Sequence, residues 1–134
     1  MARLILVVDD DTLCRLCTQT VLEALGHQVV GVDDGRKAVE AEANGDFDAI
    51  IMDCQMPHMD GFQATEAIRR RQADSPGSRT PIIGLSSRAM EGDPEVAIAK
   101  GMDAYITKPV RVHKLEAALE RVGVKAEAGS SRRA

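Results

Sequence analysis

Five short apolar runs, each followed by a stretch with helical periodicity, constrain this chain more than any other feature. "RLILVV" is unbroken by polar residues, as a strand buried on both faces reads. Thr12 to Leu25 then carries apolar residues at Leu13, Leu16, Cys17, Val21 and Ala24, near the 3.6-residue period of an amphipathic helix. Thr12 can cap its start and Gly26 its end. "HQVVGV" reads as a second strand, followed by a helix capped by Asp34. "FDAIIMD" is a third, buried strand, and Asp60 caps the helix "FQATEAIRRR". "PIIGL" is a fourth strand, before a helix capped by Asp93 with Pro94 in its first turn and Gly101 at its end. "AYIT" is a fifth strand, and the last helix, "VRVHKLEAALERV", lines up Val112, Leu115, Leu119 and Val122. Repeated βα alternation with buried strands predicts an α/β fold, a doubly wound five-stranded parallel sheet with five helices. In such a sheet ligands bind beyond the C-terminal ends of the strands.

The chain has 134 residues, one domain's worth. Residues 1–123 read as that domain and 124–134 as a polar tail. Aromatic residues make up only 2%, so the core must be aliphatic. A net charge of −4 argues against nucleic acid or an anionic membrane as partner. No apolar run approaches the ~18 residues of a membrane span. Nothing resembles a secretion leader, and three cysteines suit a reducing compartment, so a cytoplasmic location is expected. The arginines of "RRRQADSPGSR" read as a solvated, solubilising loop.

Three aspartates end the first run, Asp9, Asp10 and Asp11, and Asp53 ends the third. In a parallel sheet those ends share one edge, so Asp9, Asp10 and Asp53 converge if the strands are neighbours. Two like charges ~5 Å apart repel by roughly 3 kcal/mol at an effective dielectric of 20. A hard divalent cation such as Mg²⁺ relieves that repulsion with an all-oxygen ligand set. Asp11 reads instead as a cap or loop carboxylate. Ser86 and Lys108 follow the fourth and fifth runs on the same edge. Lys108 precedes Pro109, where a cis bond could aim the lysine inward. An acid cluster, a hydroxyl and an ammonium are what phosphoryl transfer to a carboxylate requires. Asp53 would be the nucleophile, and Lys108 and Ser86 would hold phosphoryl oxygens.

"ILVVDDD", "DAIIMDCQMPHMDGF", "PIIGLSS" and "MDAYITKPV" together resemble the signature segments of response-regulator receiver domains, in their order and spacing. The likeness spans about residues 3–122, and its wording is similar to receivers of hybrid histidine kinases. It implies a flavodoxin-like fold with strand order 2-1-3-4-5. It implies that Asp53 accepts a phosphoryl group from a histidine on a kinase or histidine phosphotransfer domain. Asp9 and Asp10 match the Mg²⁺-holding acidic pair, Mn²⁺ being an acceptable substitute, and Gln55 matches the position whose backbone carbonyl joins them. Ser86 matches the switch hydroxyl, Tyr105 the aromatic that turns with it, and Lys108 the lysine at the phosphoryl group. A downstream protein would read the face of the fourth helix, fifth strand and fifth helix. Thr12 stands where proline is frequent, and Ser87 where alanine is. Gln55, Ser87 and Arg88 line the mouth of the site, where they should modulate access of water to the acyl phosphate.

Other features read as packing. Cys14 and Cys17 form a C-x-x-C pair, but Cys17 falls on the apolar side of its predicted helix and no second pair completes a metal site. Cys54 should be buried beside the sheet. His27, His58 and His113 are scattered, with only His58 near the site loop. The domain is expected to be a phosphoacceptor rather than a turnover enzyme. An aspartate-nucleophile phosphatase would need an acid two residues after Asp53, where Gln55 stands. A flavodoxin-like cofactor binder would need a phosphate-holding first loop, and this one is acidic. A stand-alone regulator and a receiver belonging to a hybrid sensor kinase both remain open.

Overall fold

A computed structural model describes residues 3–56, 59–73, 79–86 and 94–124. His58, Ser87, Arg88 and Asp93, and the tail from 125, lie outside the described residues. The elements alternate as β1 (Leu4–Val8), α1 (Thr12–Ala24), β2 (Gln28–Val32), α2 (Gly35–Asn44), β3 (Ala49–Asp53), α3 (Gly61–Gln72), β4 (Ile82–Ser86), α4 (Pro94–Ala99), β5 (Ala104–Thr107) and α5 (Val112–Arg121). The five strands form one parallel sheet in the order β2-β1-β3-β4-β5.

Each sheet face carries its own aliphatic core. Ile5, Val7, Ile51, Ile83 and Leu85 pack with Leu22 and Leu25 of the α1 region and Leu115 and Leu119 of α5. Leu6, Val8, Ile50, Met52 and Ile82 pack on the other face with Ala38, Ala64, Ile68 and Ala97 of α2, α3 and α4. Alternate residues of one unbroken apolar run thus feed opposite cores. Val124, assigned to the tail from sequence, is buried in the α1–α5 core, so the packed domain reaches one residue further.

The first three helices start at aspartate caps, whereas α5 starts at Arg111 with no side-chain cap. Asp34 caps α2, and Asp60 with Gln63 forms a reciprocal capping box on α3. At α1 the cap is Asp11 rather than Thr12; its side chain accepts from the Leu13 and Cys14 N–H groups. Gly26, with φ 93°, follows the last turn, where a left-handed residue lets the chain leave.

The buried stripe of α1 differs in phase from the one predicted. Thr18 and Leu22 are buried and Val21 is partly buried, whereas Leu13, Leu16 and Cys17 are exposed, Leu13 at 72%. Thr18 can be buried because its hydroxyl donates to the Cys14 carbonyl at 3.0 Å. Val112 of α5 is likewise half exposed, and Ala118 takes its place beside Leu115 and Leu119.

The arginines after α3's core face are structural, not merely solubilising. Arg69 donates to the Gly101 carbonyl at 2.9 Å, the Thr80 carbonyl at 2.7 Å and Asp103 at 2.7 Å. Asp103 also accepts the Ile82 N–H and pairs with Arg79. Arg71 pairs with the buried Glu42, which also accepts from Gln72 at 2.9 Å. This clamp ties α2, α3, the start of β4 and the α4–β5 turn together at the sheet's N-terminal edge.

Candidate phosphoacceptor site

The register brings the strand ends level at the opposite edge. Val8 pairs with Met52, Asp53 with Leu85, and Ser86 with Thr107. The backbone ladder continues just past those ends, with Asp9 N–H donating to Val32 at 3.1 Å and Lys108 N–H to Ser86 at 2.7 Å. Asp9, Asp53, Ser86 and Lys108 therefore gather at one point because their strands stop together.

Asp9 and Asp53 are buried, while Asp10 is exposed. Carboxylate oxygens of the three lie within 4.8 Å of one another. Lys108 Nζ stands 3.2 Å from Asp9 Oδ2 and 3.3 Å from Asp53 Oδ2, bridging the buried pair. The Lys108–Pro109 bond is cis. Asp11 N–H holds Asp9 Oδ1 at 3.0 Å, and Gln55 N–H holds Asp53 Oδ1 at 3.1 Å. One oxygen of each buried carboxylate is thus fixed by backbone, and the other faces Lys108.

Electrostatics divide the pair. Burial and the negative charge of Asp9 push Asp53 up to about 7, against the opposing pull of the Gln55 N–H and Lys108. Burial would raise Asp9 too, but the Cys14 thiol, the Asp11 N–H, Asp53 and Lys108 together hold it below the usual range. Burial disfavours the Lys108 charge, yet Asp53 and Asp9 outweigh it and keep the ammonium above its ordinary value. Near neutrality the metal-free site carries Asp9 ionised and Asp53 partly protonated.

The donor set suits a hard divalent cation. Among the described residues no hydrogen-bond donor is aligned on the buried Asp9 Oδ2, although Lys108 is within ion-pair reach. A buried carboxylate oxygen of that kind is costly unless a charge completes it. Three carboxylates with oxygens this close match the ligands Mg²⁺ takes.

Ser86 is fully buried, and its Oγ accepts from Gln55 Nε2 at 3.3 Å. Tyr105 pairs in register with Gly84 and is half buried against the α2–α4 core. Cys54 is buried, as expected, and burial pushes its thiol up to about 12.

Three contributors escape a sequence reading. Cys14, one helical turn past Asp10, lies against Asp9, and burial followed by that contact raises its thiol to about 12. Arg15 Nη1 donates to the Asp9 carbonyl at 2.8 Å. Gly61 sits against Asp53, where any Cβ would collide with the Asp53 carbonyl oxygen, and its N–H donates to Cys54 at 3.1 Å. The only sequence signal for these contacts is spacing from the aspartates, which does not say which way a side chain turns.

Residues 5–120 match the family model described as response regulator receiver domain. The chain belongs to the response-regulator receiver family. It is a phosphoacceptor module of two-component and phosphorelay signalling. It is 44% identical over 111 residues to the sensor protein GacS of Pseudomonas syringae pv. syringae, covering 83% of this chain and 12% of that one. The chain thus spans about an eighth of that relative's length. Among solved structures, the receiver domain of the Pseudomonas aeruginosa sensor histidine kinase PA1611, with magnesium coordinated in its active-site cleft, superposes with a TM-score of 0.79 at 35% identity. That match covers 92% of this chain and 99% of the other. The receiver of the Arabidopsis thaliana histidine kinase CKI1, complexed with Mg²⁺ and BeF₃⁻, gives 0.79 at 33% identity, covering 90% and 89%. No described helix is long and apolar enough to cross a membrane.

Proposed function

We propose that Asp53 of this receiver accepts the phosphoryl group from a phosphohistidine on a histidine kinase or a histidine phosphotransfer domain. The observation that carries the reading is the Lys108 ammonium bridging Asp53 and Asp9 at the end of the sheet, where the Asp10 carboxylate clusters with theirs. Asp9, Asp10 and Asp53, with the Gln55 backbone carbonyl, would hold Mg²⁺, and Mn²⁺ would serve in its place. The cation, when bound, supplies positive charge that favours ionised Asp53 and offsets charge on the transferring group.

In the transfer, an Asp53 oxygen attacks phosphorus as the N–P bond to the donor imidazole breaks. The imidazole keeps the electron pair of that bond and takes a proton from water. Lys108 and Ser86 then hold phosphoryl oxygens. Gln55 fixes the non-attacking Asp53 oxygen through its backbone N–H. Ser87 and Arg88, next in sequence after Ser86, would modulate access of water to the acyl phosphate. The domain does not turn over a substrate; it carries a phosphoryl group on to a histidine or to water.

Engagement of Ser86 lets Tyr105 turn inward and alters the α4–β5–α5 face, which a downstream protein reads. The working location is the cytoplasm. The likeness to a sensor protein many times longer than this chain, and to receiver domains of sensor histidine kinases, favours service as the receiver of a hybrid kinase, relaying to a histidine phosphotransfer domain.

The test is phosphorylation by a small phosphodonor and by a phosphohistidine domain, with and without Mg²⁺. Wild type should be labelled only with the metal. Equal labelling of Asp53→Ala would overturn the assignment.

A further inference from the structure

Gln55 touches the site twice. Its backbone N–H holds Asp53 Oδ1 at 3.1 Å, and its side chain crosses from the β3–α3 loop to the end of β4, where Nε2 donates to Ser86 Oγ at 3.3 Å. Ser86 is fully buried, so its hydroxyl cannot turn to bulk water for partners. The side-chain contact joins the loop carrying the acceptor to the hydroxyl meant for the phosphoryl group.

We propose that the Gln55 side chain is a latch on Ser86, a positioning residue that favours the unphosphorylated arrangement through its hydrogen bond to Oγ. The proposal rests on the reading of Asp53 as acceptor and of Ser86 as the hydroxyl that joins the phosphoryl group. Ser86 must let go of Gln55 to move toward Asp53. A phosphoryl oxygen offers a charge-assisted bond, roughly twice as strong as the neutral one given up. The exchange runs forward once Asp53 is phosphorylated and backward once the group leaves. A protein whose binding-competent form is a minor population binds more weakly in proportion to that population. The latch therefore lowers apparent affinity for any phosphoryl-like group on Asp53, through Ser86 alone.

Calorimetric titration with beryllofluoride in saturating Mg²⁺ tests this, using wild type, Gln55→Met, Ser86→Ala and the double variant. Methionine keeps the length and the backbone groups of Gln55 but cannot donate. Gln55→Met should bind about two- to tenfold more tightly than wild type, the range one neutral hydrogen bond contributes. In the Ser86→Ala background the same substitution should change affinity by less than about 1.5-fold, because the group it acts through is gone. Mg²⁺ affinity, measured separately, sets the metal concentration that saturates each variant. Unchanged or weaker beryllofluoride binding by Gln55→Met overturns the latch, as does a gain that survives in Ser86→Ala. If Asp53→Ala binds beryllofluoride as tightly as wild type, the acceptor assignment itself fails, which the other variants do not probe.

Discussion

Replacing Asp53 by asparagine should stabilise the metal-free protein at alkaline pH. Asp53 is 2% exposed, and burial with the Asp9 charge raises its folded-state value from 3.8 to about 7. A carboxyl raised in the folded state binds its proton more tightly there than in the unfolded chain. Its contribution is fully present below pH ~4 and is lost as pH rises through about 7. A shift from 3.8 to about 7 corresponds to roughly 4 kcal/mol at most. Part of that belongs to Asp9, with which the proton is contested. Asparagine keeps an oxygen for the Gln55 N–H and removes the charge, at the loss of one of two Lys108 contacts. We expect a net gain of about 2 kcal/mol at pH 8 in EDTA, or roughly 6–10 °C in Tm for a domain of this size. Thermal melts of both proteins at pH 5 and pH 8, with and without Mg²⁺, measure it. At pH 5 the gain should shrink to near zero, since wild-type Asp53 is then mostly protonated. Mg²⁺ should raise the wild-type Tm more than that of the variant. A variant less stable than wild type at pH 8 in EDTA, or a gain independent of pH, would refute the electrostatic account.

Gly61→Ala should cost about 1–3 kcal/mol in urea denaturation and lower phosphorylation at Asp53, because the new methyl meets backbone that cannot swing aside. Arg69→Ala should cost about 2–4 kcal/mol, since it removes the arginine donor of the Thr80 and Gly101 carbonyls and leaves the half-buried Asp103 with only Arg79 and the Ile82 N–H. The folded variant should still bind Mg²⁺ with wild-type affinity, as the clamp is at the other sheet edge. A thiol reagent on the native protein should modify exposed Cys17 readily and leave buried Cys54 untouched until the chain unfolds. Equal rates for the two would contradict their burial.

The five βα units and the acid-lysine site were legible because they follow from local facts. An apolar run ends, a carboxylate or lysine comes next, and parallel strands bring such ends to one edge. Asp9, Asp10, Asp53 and Lys108 needed nothing more. The phase of α1 was not legible, because burial of Thr18 depends on its hydroxyl finding the Cys14 carbonyl, while Leu13 and Leu16 offer a rival apolar stripe. The Arg69–Asp103 clamp and the Gln55–Ser86 contact join residues more than 30 positions apart. Composition and periodicity carry no record of such pairs, and a charged residue near a loop reads as solvated until its partner is known. Gly61 was visible only as a glycine after a cap; its closeness to the Asp53 carbonyl is a fact of the folded chain.

The unbroken apolar character of β1 has a consequence for how the strand finds its place. A slip of one residue would trade Ile5 and Val7 for Leu6 and Val8 on each face, oil for oil, and would set Asp10 where Asp9 belongs. Burial is nearly blind to that error. The choice falls to contacts that have direction: the Leu4 N–H on the Asp48 carboxylate at 2.8 Å, the Asp9 N–H on Val32 at 3.1 Å, and Arg15 on the Asp9 carbonyl at 2.8 Å. A few polar bonds at the two ends of a greasy strand decide which of two adjacent, chemically identical side chains becomes the buried one.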